Sequence, residues 1–191
     1  MSKNAEKDIK KYEKNNNLNE KIIEFQSDIY AEKIQTLHIP RWEELPSIDL
    51  YLDQVVTLID KFLLPYLGNE DDSILITKTM INNYVKQGII KPPEKKKYNR
   101  EHIACLFVIC SLKTVYSISN ISDLIDVGIN KFKIDSSYNK FCTLFEYALK
   151  SIFKNKRIEF PSTNIKEQIL LQNVIQSVAY KIYVEKTFFN K

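Results

Sequence analysis

Residues 77–103 read TKTMINNYVKQGIIKPPEKKKYNREHI, and the organisation of the chain follows from how this stretch divides. From about Lys78 to Gln87 the apolar Met80, Ile81, Tyr84 and Val85 fall on one side at helical spacing, while Lys78, Asn82 and Lys86 recur at steps of four on another. That is the pattern of an amphipathic helix with a polar outer face, which Thr79 and Asn83 widen. Thr77 suits the N-cap, because its hydroxyl can accept a free amide of the first turn. Gly88 stands where a left-handed C-terminal cap is expected. Ile89 and Ile90 then make a short apolar hinge before Pro92-Pro93. A short basic hairpin follows, with Lys95, Lys96 and Lys97 at its tip or returning strand and Tyr98 placed to pack inward, before Asn99 caps a new helix.

Charge singles out the same stretch. Residues 77–100 hold seven Lys and Arg against one Glu, a net of +6, whereas residues 1–76 sum to −6 and residues 101–191 to +4. A basic stripe confined to one element is the footprint expected of a phosphate-binding face; an ordinary solvated hairpin is the plain alternative. Asn can bond an adenine edge bidentately and Lys can meet guanine or phosphate. Lys78, Thr79, Asn82, Asn83 and Lys86 are therefore candidates for the major groove of duplex DNA, and Lys91, Lys95, Lys96, Lys97 and Arg100 for its phosphates.

Outward from this stretch the chain reads as helices. Residues 102–115 are apolar almost all round, which predicts a central buried helix. His102 falls in its first turn, where the helix dipole disfavours a positive charge, so a neutral structural histidine is expected. Ser117 or Ser119 caps a shorter helix that ends near Gly128. Two further helices, residues 136–153 and 164–188, form an antiparallel pair. In the first, Phe141, Leu144, Phe145, Ala148, Leu149 and Ile152 point inward; in the second, Ile169, Leu170, Val174, Val178, Ile182 and Tyr183. A long final helix is a common dimerisation element.

On the N-terminal side, residues 49–66 predict a long amphipathic helix stopped by Pro65 and Gly68. Pro40 to Pro46 is a proline-bracketed connector whose Trp42 should anchor it to the body. A short apolar stripe from Ile22 to Leu37 predicts one more helix. The sequence thus divides into a flexible, Asn-rich segment (1–21), a core with an N-terminal helical extension (22–128) and a C-terminal helical pair (129–191).

Composition narrows the function. Only three glycines, Gly68, Gly88 and Gly128, occur, so no glycine-rich phosphate loop or dinucleotide fingerprint can be written. Cys105, Cys110 and Cys142 are an odd number in apolar helical runs, the pattern of buried thiols in a reducing compartment. His38 and His102 stand in no metal-ligand spacing. There is no recognisable nucleophile–base pair, no transmembrane run and no signal peptide. A cytoplasmic protein that is not an enzyme and needs no cofactor or metal is expected.

The order of recognition helix, Gly88-Ile89-Ile90-Lys91-Pro92, basic wing, Tyr98, Asn99 cap, core helix and the Ser117-Ile118-Ser119-Asn120-Ile121 turn resembles the DNA-binding head of MerR-type regulators over about residues 76–125. That resemblance implies a mainly α fold: a winged helix-turn-helix core with a small β-hairpin wing and added N- and C-terminal helices. It further implies a transcriptional regulator that binds double-stranded DNA, as a homodimer. Such heads typically carry Arg-Tyr-Tyr where this chain has Asn82, Asn83 and Tyr84. The missing Arg keeps open an alternative, a protein-interaction module with a degenerate winged helix and no DNA binding. More broadly, residues 39–125, with the connector and Lys95-Lys96-Lys97-Tyr98, resemble a bacterial family catalogued as a domain of unknown function.

Overall fold

The computed structural model describes residues 29–68 and 73–189. The expected flexible segment 1–21 and the first part of the 22–37 stripe lie outside them. In chain order the elements are α1 (Ile29–Gln35), a 3-10 turn (Trp42–Glu44), β1 (Leu50–Tyr51), α2 (Leu52–Leu67), α3 (Lys78–Lys86), β2 (Lys97–Tyr98), α4 (Arg100–Leu112), α5 (Ile118–Lys131), α6 (Ile134–Ile152) and α7 (Lys166–Val184), followed by a π-helical turn (Glu185–Phe189). The architecture is mainly helical, with one two-stranded antiparallel sheet. No described helix is long and apolar enough to cross a membrane.

α4 is the hub. It packs against α2, α5, α6, α7 and β2, which is why its sequence is apolar on nearly every side. Phe107, Leu106, Ile103 and Ile109 are fully buried, and the Phe107 ring lies edge-on to Phe62 of α2. Around this hub α6 and α7 pack side by side as the expected helical pair.

Several boundaries depart from the sequence reading, each for a physical reason. Pro65 lies inside α2, which continues to Leu67. A proline in the last turn removes a single backbone hydrogen bond, and buried Leu63 and Leu67 hold the turn in place. α5 likewise runs through Gly128 to Lys131, since one glycine lowers helix propensity by only about 1 kcal/mol. The segment read as helical from residue 49 starts instead with a strand: Leu50 pairs with Tyr98 and Tyr51 with Lys97, and α2 follows directly. In α7, Ile169 and Leu170 are about 40% exposed, not inward as the spacing predicts; the buried face begins at Val174.

The connector is docked by polar contacts that periodicity does not show. Tyr138 Oη donates to the Pro40 carbonyl at 2.8 Å and the Trp42 amide donates to Asn139 Oδ1 at 2.7 Å. Trp42 packs edge-on against Tyr138. Glu146 of α6, only 8% exposed, takes both guanidinium nitrogens of Arg41 at 2.6 and 3.0 Å and the Ile39 amide at 2.7 Å. The guanidinium beside Glu146 holds its proton above the ordinary arginine range.

Candidate nucleic-acid interface

α3 forms because its ends are closed as the sequence suggests. The Thr77 hydroxyl accepts from the Met80 amide at 3.2 Å. At the other end Gly88 takes φ +74°, its amide donates to the Val85 carbonyl at 3.1 Å, and the Ile89 amide reaches back to Tyr84 at 3.0 Å. This is a Schellman cap, and only the left-handed residue at its centre strongly favours glycine. Ile81 and Tyr84 are buried while Met80 and Val85 pack against the core, so the opposite face is left to solvent. Lys78, Thr79, Asn82, Asn83, Lys86 and Gln87 are all exposed there.

The basic turn is tighter than a generic wing. Glu94 bridges Lys97, the Lys97 amide donates to the Glu94 carbonyl at 2.8 Å, and the two residues between them, Lys95 and Lys96, have φ +49° and +62°. Positive φ at both central positions is the pattern of a type I′ turn, where Asn-Gly is the favoured pair. Two lysines there carry backbone strain of order 1 kcal/mol each. Their side chains are exposed, and among the described residues neither has a carboxylate partner.

The returning strand and the start of α3 converge on one place. Lys97 pairs with Tyr51 through the backbone, and its ammonium lies 5.1 Å from the Tyr51 ring centre. Two residues on, Asp53 in the first turn of α2 meets Lys78 Nζ at 2.5 Å. The polar face of α3 and the lysine turn therefore sit beside the same three residues of the β1–α2 junction. Neither Tyr51, 55% exposed, nor Asp53 carries a sequence signal for this role; both lie about 25 positions upstream of the basic stretch, and only the fold brings them in.

His102 fixes the entry to the turn. Its Nδ1 accepts from the Asn99 amide at 3.0 Å, while Asn99 Oδ1 accepts from the His102 amide at 3.1 Å, a reciprocal cap of α4. With Nδ1 an acceptor, Nε2 is the protonated nitrogen and donates to the Lys91 carbonyl at 3.1 Å. Burial lowers its pKa below 6.5, outweighing the opposing hydrogen bond to Lys91, so the ring is neutral at physiological pH. Lys91 itself points outward, 3.7 Å from Glu101 with its side chain 83% exposed.

Not every candidate is equally free. Arg100 is half-buried: its Nη2 donates to the Leu45 carbonyl at 3.1 Å, and its guanidinium sits 5.7 Å from the Trp42 ring. Its hydrogen bonds hold the connector, which leaves it less available to an outside phosphate than the lysines. Lys97 is also half-buried. Lys86, Lys95 and Lys96 are the exposed cations of the group with no ion pair among the described residues.

The cysteines offer no reactive centre. Cys110 and Cys142 are fully buried, and burial pushes their thiols up to about 12 and that of Cys105 to about 11, far from the thiolate needed for attack. Among the described residues no three His, Cys, Asp or Glu side chains converge as a metal cluster.

A family model described as a domain of unknown function (DUF1836) matches residues 40–147. The match runs past the residues 39–125 on which the resemblance was read and takes in most of α6. Its limits lie next to the Arg41–Glu146 pair, so the contact that closes the matched segment on itself joins its two ends. No curated protein and no solved structure matches the chain.

Proposed function

The chain belongs to this DUF1836 family, whose description carries no activity, and from the geometry of the α3 face we propose that it binds duplex DNA as a cytoplasmic transcriptional regulator. In this reading the core is a winged helix-turn-helix of the MerR type, with α2 and α3 as the helix pair and residues 94–97 as the wing. Thr79, Asn82, Asn83 and Lys86 enter the major groove, Lys91, Lys95 and Lys96 hold phosphates, and Lys78 does so once released from Asp53. The observation that carries the proposal is the strained turn. Asn-Gly would relieve it, yet two exposed lysines stand there, beside a helix whose outer face is Lys, Thr and Asn. Local strain that places charge at a protruding tip is the kind of exception found at functional sites.

A homodimer suits the same reading, since paired heads read paired half-sites. An exposed apolar stripe running from the end of α7 into the π-helical turn, Tyr180, Val184 and Phe188, supports that assembly.

The test is fluorescence anisotropy of labelled random and genome-derived duplexes titrated with the full chain at several salt concentrations. Salt-steep binding with a preferred fragment is expected. Changing Lys95 and Lys96 together to Ala should weaken binding on all duplexes and flatten the log–log salt slope by up to about 2, roughly 0.9 per lost phosphate contact. A slope equal to that of the unaltered protein would remove the wing from the mechanism. Absence of binding even at low salt would shift the reading to a protein-interaction module.

Asp53 supplies a second check. It neutralises Lys78 at 2.5 Å beside the proposed phosphate path, so Asp53→Asn should raise DNA affinity several-fold at low salt. The gain should fade as salt is added, because both side chains are more than half exposed and screened. An affinity that falls in this variant would mean that the ion pair orients α3 for binding instead of competing with it.

A further inference from the structure

On the face of α4 that carries Ala104, Cys105 and Val108, the helices α5, α6 and α7 enclose a cavity of about 310 Å3. Its floor is buried and apolar, with Ala104, Phe141 and Val174 at 5% exposure or less, while Val127, Ile129 and Leu170 form a rim close to 40% exposed. The outward turn of Leu170, contrary to the spacing of α7, belongs to this rim. Four helices have thus left a concave, apolar depression where close packing would normally place side chains. Its volume and lining are those of a small-molecule site, largely apolar with a few polar groups.

The charged groups of the lining decide the class of ligand. Glu167 is already matched by Lys131, at 4.0 Å. Lys140 also lines the cavity, is exposed, and has no carboxylate partner among the described residues. We propose that this cavity binds an amphipathic monocarboxylate, its aliphatic or aromatic tail against Val108, Leu124 and Phe141 and its carboxylate at Lys140. A second copy of the chain fits less well, because a protein partner needs a broad complementary face rather than a depression of this size. The site is independent of the DNA reading, and its assay contains no DNA.

Decanoate is a suitable probe, used below its micelle-forming concentration with the full chain, alongside decanol and decyltrimethylammonium. A ligand that binds only the folded state raises Tm with RT ln(1 + [L]/Kd), so decanoate should give a saturable rise, decanol a smaller one and the cationic analogue the smallest. Lys140→Ala should bring decanoate down to the response of decanol. Val108→Phe, which fills the cavity with an apolar ring, should abolish the shift; Leu124→Phe serves where the first variant does not fold. The proposal is overturned by an absent or unsaturable shift, by equal responses to the three head groups, or by an unaltered response in the filled variant. It is equally overturned if the protein is a dimer that Ile169→Asp dissociates and decanoate binds only the dissociated form, which would make the cavity a subunit interface.

Discussion

Glu146→Ala is expected to lower the folding stability by about 3 kcal/mol, the lower end of what breaking a buried ion pair costs. The Glu146 carboxylate accepts from both guanidinium nitrogens of Arg41 and from the Ile39 amide, and Ile39 is fully buried. Truncation leaves that amide without its partner and a guanidinium whose side chain is only 26% exposed without its counter-charge. Lys150 at 3.8 Å from Glu146 then adds repulsion instead of attraction. The partial exposure of Arg41 lets water recover some of the loss, which keeps the figure at the low end. Urea unfolding at neutral pH measures it. Replacing the pair together, Arg41→Met with Glu146→Leu, should restore most of the stability, since an apolar pair of similar volume removes the desolvation cost as well as the attraction. If the double variant is no more stable than Glu146→Ala, the loss comes from the Ile39 amide and the connector geometry, not from the uncompensated charge.

His102→Ala should cost about 2 kcal/mol at pH 7.5, from two lost hydrogen bonds and the packing of the ring against Tyr98 at 5.5 Å. It should also remove a pH dependence. The folded protein holds His102 neutral with its pKa below 6.5, chiefly through burial, with the hydrogen bond to the Lys91 carbonyl, Glu101 and Asp49 opposing the shift and the Lys91 charge assisting it. Below pH 6.5 the unfolded chain binds a proton that the folded one resists. Its contribution is therefore fully present above pH 6.5 and is lost as the pH falls through the folded value. Unfolding free energies at pH 7.5 and pH 5 should differ more in the unaltered protein than in His102→Ala. Glu44, held below the usual carboxylate range mainly by the Arg41 amide, titrates beneath this window and does not confuse the comparison. Equal pH dependence in both proteins would assign the acid sensitivity to another group. Because protonation places a hydrogen on Nδ1, which accepts from the Asn99 amide, acid should break that contact and loosen the cap of α4, while the bond from Nε2 to the Lys91 carbonyl survives.

Local chemistry made much of this protein legible in its sequence. Thr77, Gly88, Asn99 and Ser117 close helix ends through their own backbone and side-chain atoms, and each does so here. The all-round apolar run of α4 announced the hub, and the +6 stretch announced an exposed basic element, because caps, helical periodicity and charge density involve residues a few positions apart. What the sequence could not show are pairings across long separations. Leu50 and Tyr51 have good helical spacing with the residues after them, yet they became a strand because Lys97 and Tyr98 stood opposite. Nothing local in Arg41 and Glu146 links them across 105 positions.

The candidate site divides the same way. The outward face of α3 and the lysine turn were legible; the engagement of Lys78 by Asp53 and of Arg100 by the Leu45 carbonyl was not, and these contacts separate the free cations from the committed ones. The cavity beside Lys140 was invisible for the same reason, since its walls come from four helices whose individual patterns each look complete. The sequence by itself determined which segments are helical, where most of them begin, and where the positive charge gathers, since those depend on the chain's own neighbours. Only the tertiary structure decided which polar groups are consumed in holding the fold and which remain to meet a ligand, because that depends on what distant side chains the packing brings within hydrogen-bond reach.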